Sequence, residues 1–225
     1  SKYFFSAVKH QKKANTISSL VNEKGKTISD FCAMMKHVRG FYLNLFSSEG
    51  INNYHLEKIL DNIDTFEFDD NTVVDMNESI TKEEIFNAIK LMAHDKAPGL
   101  DGITSEFYFN FWEVIQDDFV DLVNYCNNTG KLSRSMNTAL IRLIYKNRGD
   151  RENLKNWTPI SLLNVDYKII AKVISLRLSR LMPVVVNEAQ TCGVKGRSIQ
   201  ENLMVIRDTI DYINYTNQEA ALISV

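Results

Sequence analysis

Cysteine is scarce: three residues, Cys32, Cys126 and Cys192, spread over 225 positions. An odd, scattered set builds no disulfide framework, which predicts a reducing, intracellular setting. The four histidines, His10, His37, His55 and His94, show no ligand spacing with those cysteines, so no structural metal site is expected. Nowhere does the chain approach the roughly 18 consecutive apolar residues of a membrane span. The opening "SKYFFSAVKHQKKAN" lacks an initiator Met and turns charged straight after its aromatic cluster, so these residues are not expected to be a secretory signal. Neither a G-x-x-x-x-G-K-[ST] phosphate loop nor a G-x-G-x-x-G turn occurs, and no nucleophile stands beside a base.

What is present is an ordinary globular composition, 44% hydrophobic and 24% charged, in a chain long enough for one or two cores. The net charge of −2 hides a strong asymmetry. Residues 1–50 hold eight basic and three acidic groups, a balance of +5; residues 51–125 hold four and 17, or −13. Residues 126–225 return to +6, and 131–197 alone reach +9. A basic stretch of this kind suits a surface that meets a polyanion, or simply a solvated face.

Periodicity divides the chain. Residues 1–13 suit a helix with Phe4, Phe5 and Val8 on one side, and "TISSLVNEKGKTISD" suits a hairpin around "NEKG". From Ser29, helical spacing runs through Phe31, Met34, Met35, Val38, Tyr42 and Leu45. Residues 47–78 are polar and acidic with weak pattern, and predict a linker that contains Asp69 and Asp70 as a solvated pair. The expected organisation is an upstream segment 1–50, a linker 51–78 and a main domain 79–225.

That domain opens with a capping box, Thr81 with Glu84, ahead of a buried stripe of Ile85, Ile89 and Met92. "HDKAPGLDG" breaks regular structure. "SEFYFNFWEVIQDDFVDLVNYCNN" reads as one long or two shorter helices, with Asp117 and Asp118 at a boundary and the aromatics more suited to core than to stacking on bases. "TALIRLIYKN" alternates as a strand, Leu140, Arg142 and Ile144 facing one way and Ile141, Leu143 and Tyr145 the other. "RGDRENLKNW" is a polar loop and "TPISLL" a second strand. Residues 165–182 form an amphipathic helix with Lys168, Lys172, Arg177 and Arg180 on its charged face, ended by Pro183. A second capping box, Ser198 with Glu201, starts a helix to about Thr216, and the run Ala220–Val225 reads as a core strand at an abrupt end. The class is α+β, helix-rich, with an incomplete sheet.

Two basic clusters carry the functional signal. Arg142, Lys146, Arg148 and Arg151 gather on a strand-loop-strand that can present them together to phosphate oxygens. In "GVKGRS", Lys195 and Arg197 lie just before a helix N-terminus, with glycines that let the backbone approach an anion. Two ordinary loops with surface cations are the competing explanation.

Three stretches in order, "DKAPGLDGITSEFYFNFW", "ALIRLIYKNRGDRENLKNWTPISLLNVDYKIIAKVISLRL" and "EAQTCGVKGRSIQENLMVIRDTIDY", resemble the front half of the reverse transcriptase domain of non-LTR (LINE-type) retrotransposons. "KYFFSAVKHQKKANTISSL" and "FYLNLFSSE" resemble, more loosely, the segment that precedes it. The resemblance implies a right-hand polymerase fold, of which this chain carries the fingers and the start of the palm. It implies RNA-directed DNA synthesis with RNA template, DNA primer, deoxynucleoside triphosphate and two magnesium ions held by palm aspartates, in the nucleus. By it Lys146 and Arg148 contact triphosphate or template, and Gly196, Arg197 and Ser198 form the loop near template and primer. Gly99, Asp101 and Gly102 shape the "PGLDG" turn. Thr158 stands where relatives usually carry an arginine between Trp157 and Pro159, a bidentate phosphate role threonine cannot copy. "ALISV" resembles the palm strand before the first metal-binding aspartate, so the resemblance leaves residues 1–225 without a catalytic or metal-binding carboxylate. The other function open to such a chain is a non-catalytic module that binds nucleic acid or protein.

Overall fold

The computed structural model describes residues 16–61, 67–217 and 219–221. The expected helix over 1–13 and the strand over 220–225 lie outside these, wholly or in their greater part. Within them the chain is mixed helix and sheet, with two separate two-stranded antiparallel sheets. It divides into two compact units, each drawn from three stretches of sequence. The first gathers the described residues of Ser1–Asp64, Asp95–Thr104 and Leu132–Val165; the second gathers those of Thr65–His94, Ser105–Lys131 and Asp166–Val225.

The first unit begins with the expected hairpin, β1 (Leu20–Val21) against β2 (Thr27–Ile28). Its turn closes because Asn22 Oδ1 accepts from the backbone N–H of both Lys24 and Lys26, and Gly25 takes φ +75°. β1 is tied to the distant loop at Glu152, whose carbonyl accepts from Val21 N–H at 2.9 Å, and Leu20 between them is fully buried. Asp30 caps α1 (Phe31–Leu45) by accepting from Ala33 N–H, and Tyr42 is the helix's buried residue. A short helix α2 (Asn53–Leu60), capped by Asn52, follows. β3 (Ala139–Tyr145) and β4 (Trp157–Leu163) pair antiparallel from Ala139↔Leu163 to Tyr145↔Trp157.

The second unit holds α3 (Asp70–Asn77), α4 (Lys82–Lys90), α5 (Ser105–Asn110) and α6 (Trp112–Thr129). It continues with α7 (Val165–Leu178, from Asp166), α8 (Met182–Val185) and α9 (Ile199–Thr216). Its core is Ile80, Ile85, Ala88 and Ile89 against Trp112, Phe119 and Val123, with Ile169, Ile170 and Val173 of α7 also buried. Both capping boxes form as the sequence predicts. Asn124, on α6, accepts from Ile80 N–H and donates to Ile80 O, fixing the entry to α4.

Three expectations need correction. The weakly patterned stretch 47–78 is not without regular structure: its described part holds α2 and α3, each started by an Asx cap, since a single good cap suffices where hydrophobic periodicity is faint. Asp69 is that cap for α3, accepting from Thr72 N–H, and hydrogen bonding from the Thr72 side chain and then its N–H holds the carboxyl below the usual range. Asp117 and Asp118 lie inside α6, not at a boundary; Asp117 pairs with Lys82. Helix α7 ends at Leu178, before Pro183, and Arg177 is not on a solvated face: it is 8% exposed. The aromatic stretch forms two helices, one of the two alternatives expected, dividing at Phe111; Tyr108, Trp112 and Phe119 enter the core as expected, while Phe107, Phe109 and Phe111 stay largely exposed.

Candidate nucleic-acid interface

A β-ribbon of two strands has two faces, and directly paired residues share one. The register of β3 and β4 therefore puts Arg142, beside Ile160, and Thr158, beside Ile144, on a common face with Leu140 and Leu162. Arg142, Thr158, Leu140, Ile144 and Ile160 are all exposed. The opposite face carries the Tyr145–Trp157 pair, and there Trp157 is buried, 3% exposed.

The basic loop between the strands is held by its own hydrogen bonds. Lys146 N–H donates to Asn156 O, and Lys146 Nζ donates to Lys155 O at 2.8 Å. Tyr145 Oη donates to Gly149 O, Asn156 Nδ2 to Asp150 O, and Trp157 Nε1 to Arg151 O. Gly149 is required on two counts: its φ is +73°, and a Cβ there would sit 2.6 Å from Asn156 Nδ2. The Arg151 guanidinium lies over the rings of Tyr145 (4.7 Å) and Trp157 (5.8 Å), so it braces the loop as well as charging it. Arg148 projects from this loop, exposed. Arg142, Lys146, Arg148 and Thr158 thus belong to one hairpin whose shape is set before any ligand arrives. Such an arrangement offers charge-assisted donors to phosphate oxygens beside an apolar strand face.

The "PGLDG" turn lies in the same unit. Gly99 presses so closely on Asn164 that a Cβ would lie 2.0 Å from Asn164 Oδ1 and 2.5 Å from its backbone N. Gly102 has φ +75°, and Asp101 Oδ1 accepts from Ile103 N–H. Asn164, 2% exposed, donates to Ser135 O and meets Asp101 N–H at 3.5 Å, so it joins three loops. Sequence reasoning passed over Asn164. Its one signal was a lone amide inside the apolar run "SLLNV", the mark of a buried and satisfied polar group.

Lys195, Gly196 and Arg197 belong to the second unit. Lys195 is exposed and Gly196 takes φ +86°. Arg197 turns inward on its own loop: Nη1 donates to Asn187 O and Gln190 O, Nη2 to Pro183 O and Val186 O. Four of its five donors are engaged in this way. Arg197→Ala should therefore loosen the loop and cost about 2–3 kcal/mol, read as a lower urea midpoint and faster proteolysis between Pro183 and Arg197. An unchanged midpoint would mean those bonds contribute nothing.

The second polar contact that sequence reasoning missed pairs the buried Arg177 with the part-exposed Glu84. Arg177 holds the Glu84 carboxyl below the usual carboxylate range, chiefly through its hydrogen bonds. Among the described residues no group of three or more His, Cys, Asp or Glu side chains is placed to hold a metal ion, and no helix is long and apolar enough to cross a membrane.

Along all 225 residues the chain is similar to a protein of a transposon. That relative is the Transposon TX1 uncharacterized 149 kDa protein of Xenopus laevis, 35% identical over the whole of this chain. The chain spans 17% of the relative's length. No protein-family model matches.

Proposed function

We propose that the chain is the fingers and early-palm portion of an RNA-directed DNA polymerase from a LINE-type retrotransposon, acting in the nucleus. The β3–β4 hairpin would contact template and incoming nucleotide. The single observation that carries this reading is the hairpin: Arg142, Lys146 and Arg148 are arrayed on one braced ribbon within a chain similar to a transposon protein. Phosphate binding needs no more than these donors. Catalysis is another matter. The two magnesium ions that such a polymerase uses find no fitting set of carboxylates among the described residues, so no chemical step is assigned to this chain. A non-catalytic module that holds RNA is the second reading, favoured by Thr158 standing exposed on the hairpin face where the resemblance leads one to expect an arginine.

RNA affinity measured against salt tests both. Each phosphate contact to a single strand adds about 0.7 to the slope of log affinity on log salt. Lys146→Ala with Arg148→Ala should lower that slope by about 1.4, and the urea midpoint is read beside it because Lys146 Nζ also donates to Lys155 O within the loop. An unchanged slope would overturn hairpin binding. In the polymerase reading a deoxynucleoside triphosphate competes with RNA for the hairpin; in the binding-module reading it does not.

A further inference from the structure

The first unit holds a groove of about 460 Å³ between the β1–β2 turn and α1, far along the sequence from the β3–β4 hairpin. Ala33, Lys36, His37 and Gly40 recur at helical spacing, so they share one face of α1 and form one wall. Lys24 and Asn22 of the turn form the other, and Ile28 and Phe41 supply apolar, half-buried surface. Lys24 and Lys36 are exposed cations; Glu23 is the single carboxylate on the rim.

Gly40 is the telling residue. Glycine weakens a helix interior relative to alanine, because it gives up the most backbone freedom on folding. Here the usual reasons for accepting that cost are missing. Gly40 has ordinary helical φ, and among the described residues nothing lies within 4 Å of where its Cβ would be. Among the described residues the space over Gly40 is open, and it opens into a groove with an aromatic ring on one side and two lysines on the rim.

We infer that this groove seats a single strand of nucleic acid, with Lys24 and Lys36 against phosphate oxygens and a base lying over Gly40 beside Phe41. The inference rests on the reading that the protein binds nucleic acid, and adds a second contact site to it. Lysine supplies point-charge donors to phosphate, while a base needs flat apolar surface and an aromatic neighbour. His37, half-buried in the same wall, can donate to or accept from a base edge. Glu23 repels phosphate and so leaves the backbone to the lysine side of the rim.

The test is the binding of a fluorescein-labelled oligouridylate to the 225-residue chain, read by anisotropy across salt concentrations. Gly40→Leu fills the space while favouring the helix; it should weaken binding about tenfold with the salt slope unchanged, since no charge is lost. Gly40→Ala, which fills little, should bind as the parent does. Lys24→Ala with Lys36→Ala should lower the slope by about 1.4, and as surface changes they keep the question open to test even if Gly40→Leu fails to fold. Gly40→Leu binding as well as Gly40→Ala, or a slope unmoved by the lysine pair, would overturn the inference. So would uridine monophosphate binding as tightly as the oligomer, which would make the groove a nucleotide pocket. Oligodeoxyuridylate in parallel separates RNA from DNA: equal binding supports recognition by phosphate and base, and weaker binding adds the 2′-hydroxyl. If the groove variants are silent while Lys146→Ala with Arg148→Ala lowers the slope, the groove inference fails and the hairpin reading stands. The reverse pattern sinks the hairpin and keeps the groove, and an unbound parent chain sinks both.

Discussion

Arg177→Ala should destabilise the second unit by about 3 kcal/mol, the low end of the range for breaking a buried ion pair by removing one partner, because the Glu84 side chain keeps 25% exposure. Arg177 Nε donates to Glu84 Oε1 and Nη2 to Glu84 Oε2, each at 2.7 Å, a bidentate pair. Nη1 donates to Met76 O and Glu78 O, and Nη2 also reaches Ser79 O. One guanidinium therefore closes the end of α3, the entry to α4 and the last turn of α7 on a single point. Alanine leaves three carbonyls and a carboxylate unanswered. Against a typical domain stability of roughly 5–15 kcal/mol, that loss is a large part of the whole. Arg177→Lys should recover little, because an ammonium cannot make the planar fork. Urea unfolding of the three proteins at neutral pH decides it; a loss under about 1 kcal/mol in the alanine variant would refute the assignment.

The same pair sets a pH dependence. Glu84's carboxyl is lowered in the folded state, so the folded protein binds its proton less readily than the unfolded chain does. The stabilisation is complete above the ordinary glutamate pKa of about 4.3 and disappears as pH falls through the lowered folded value. Arg177→Ala removes the cause, so the acid limb of its stability curve should be shallower than the parent's.

Gly99→Ala is the second large effect. The new methyl carbon would lie 2.0 Å from Asn164 Oδ1, 2.5 Å from its N and 2.7 Å from its Cα. A side-chain amide can swing away, but backbone atoms cannot without moving the junction between β4 and α7. About 3 kcal/mol of destabilisation is expected, at the upper end for overpacking. Asn164→Ala in the same chain removes the amide and leaves the clash with backbone N and Cα, so it should not rescue the variant. If the double variant did recover the urea midpoint, the contact would be a side-chain one alone, and the case for glycine at this position would fall.

These two sites show where the sequence was legible and where it was not. Local signals came through: Thr81 with Glu84 and Ser198 with Glu201 cap helices as written, and the alternation of "ALIRLIY" gives the β3 face on which Arg142 lies. A cap is decided within four residues and a strand face by a period of two, so both can be read without the fold. Arg177 could not be placed this way. Its partner is 93 residues earlier, and a charged residue at helical spacing looks the same in sequence whether it faces water or a distant carboxylate. Glu84 was found for one of its roles, the capping box, while the other stayed hidden for the same reason. Among the candidate residues, Arg142, Lys146, Arg148 and Thr158 share a hairpin because the register is local. Arg197's inward turn onto four carbonyls depends on how residues 183–197 fold back, which no period records.

The division of each unit into three separated stretches has a consequence for how the chain is made. A ribosome delivers residues in order, yet the first unit must wait for Leu132–Val165 to be complete, and by then two of the second unit's three stretches have already been synthesised. Neither unit can finish before the other has begun. The nascent chain must keep β1, α1 and α4 from pairing wrongly while it waits, and a single proteolytic nick cannot release either unit whole.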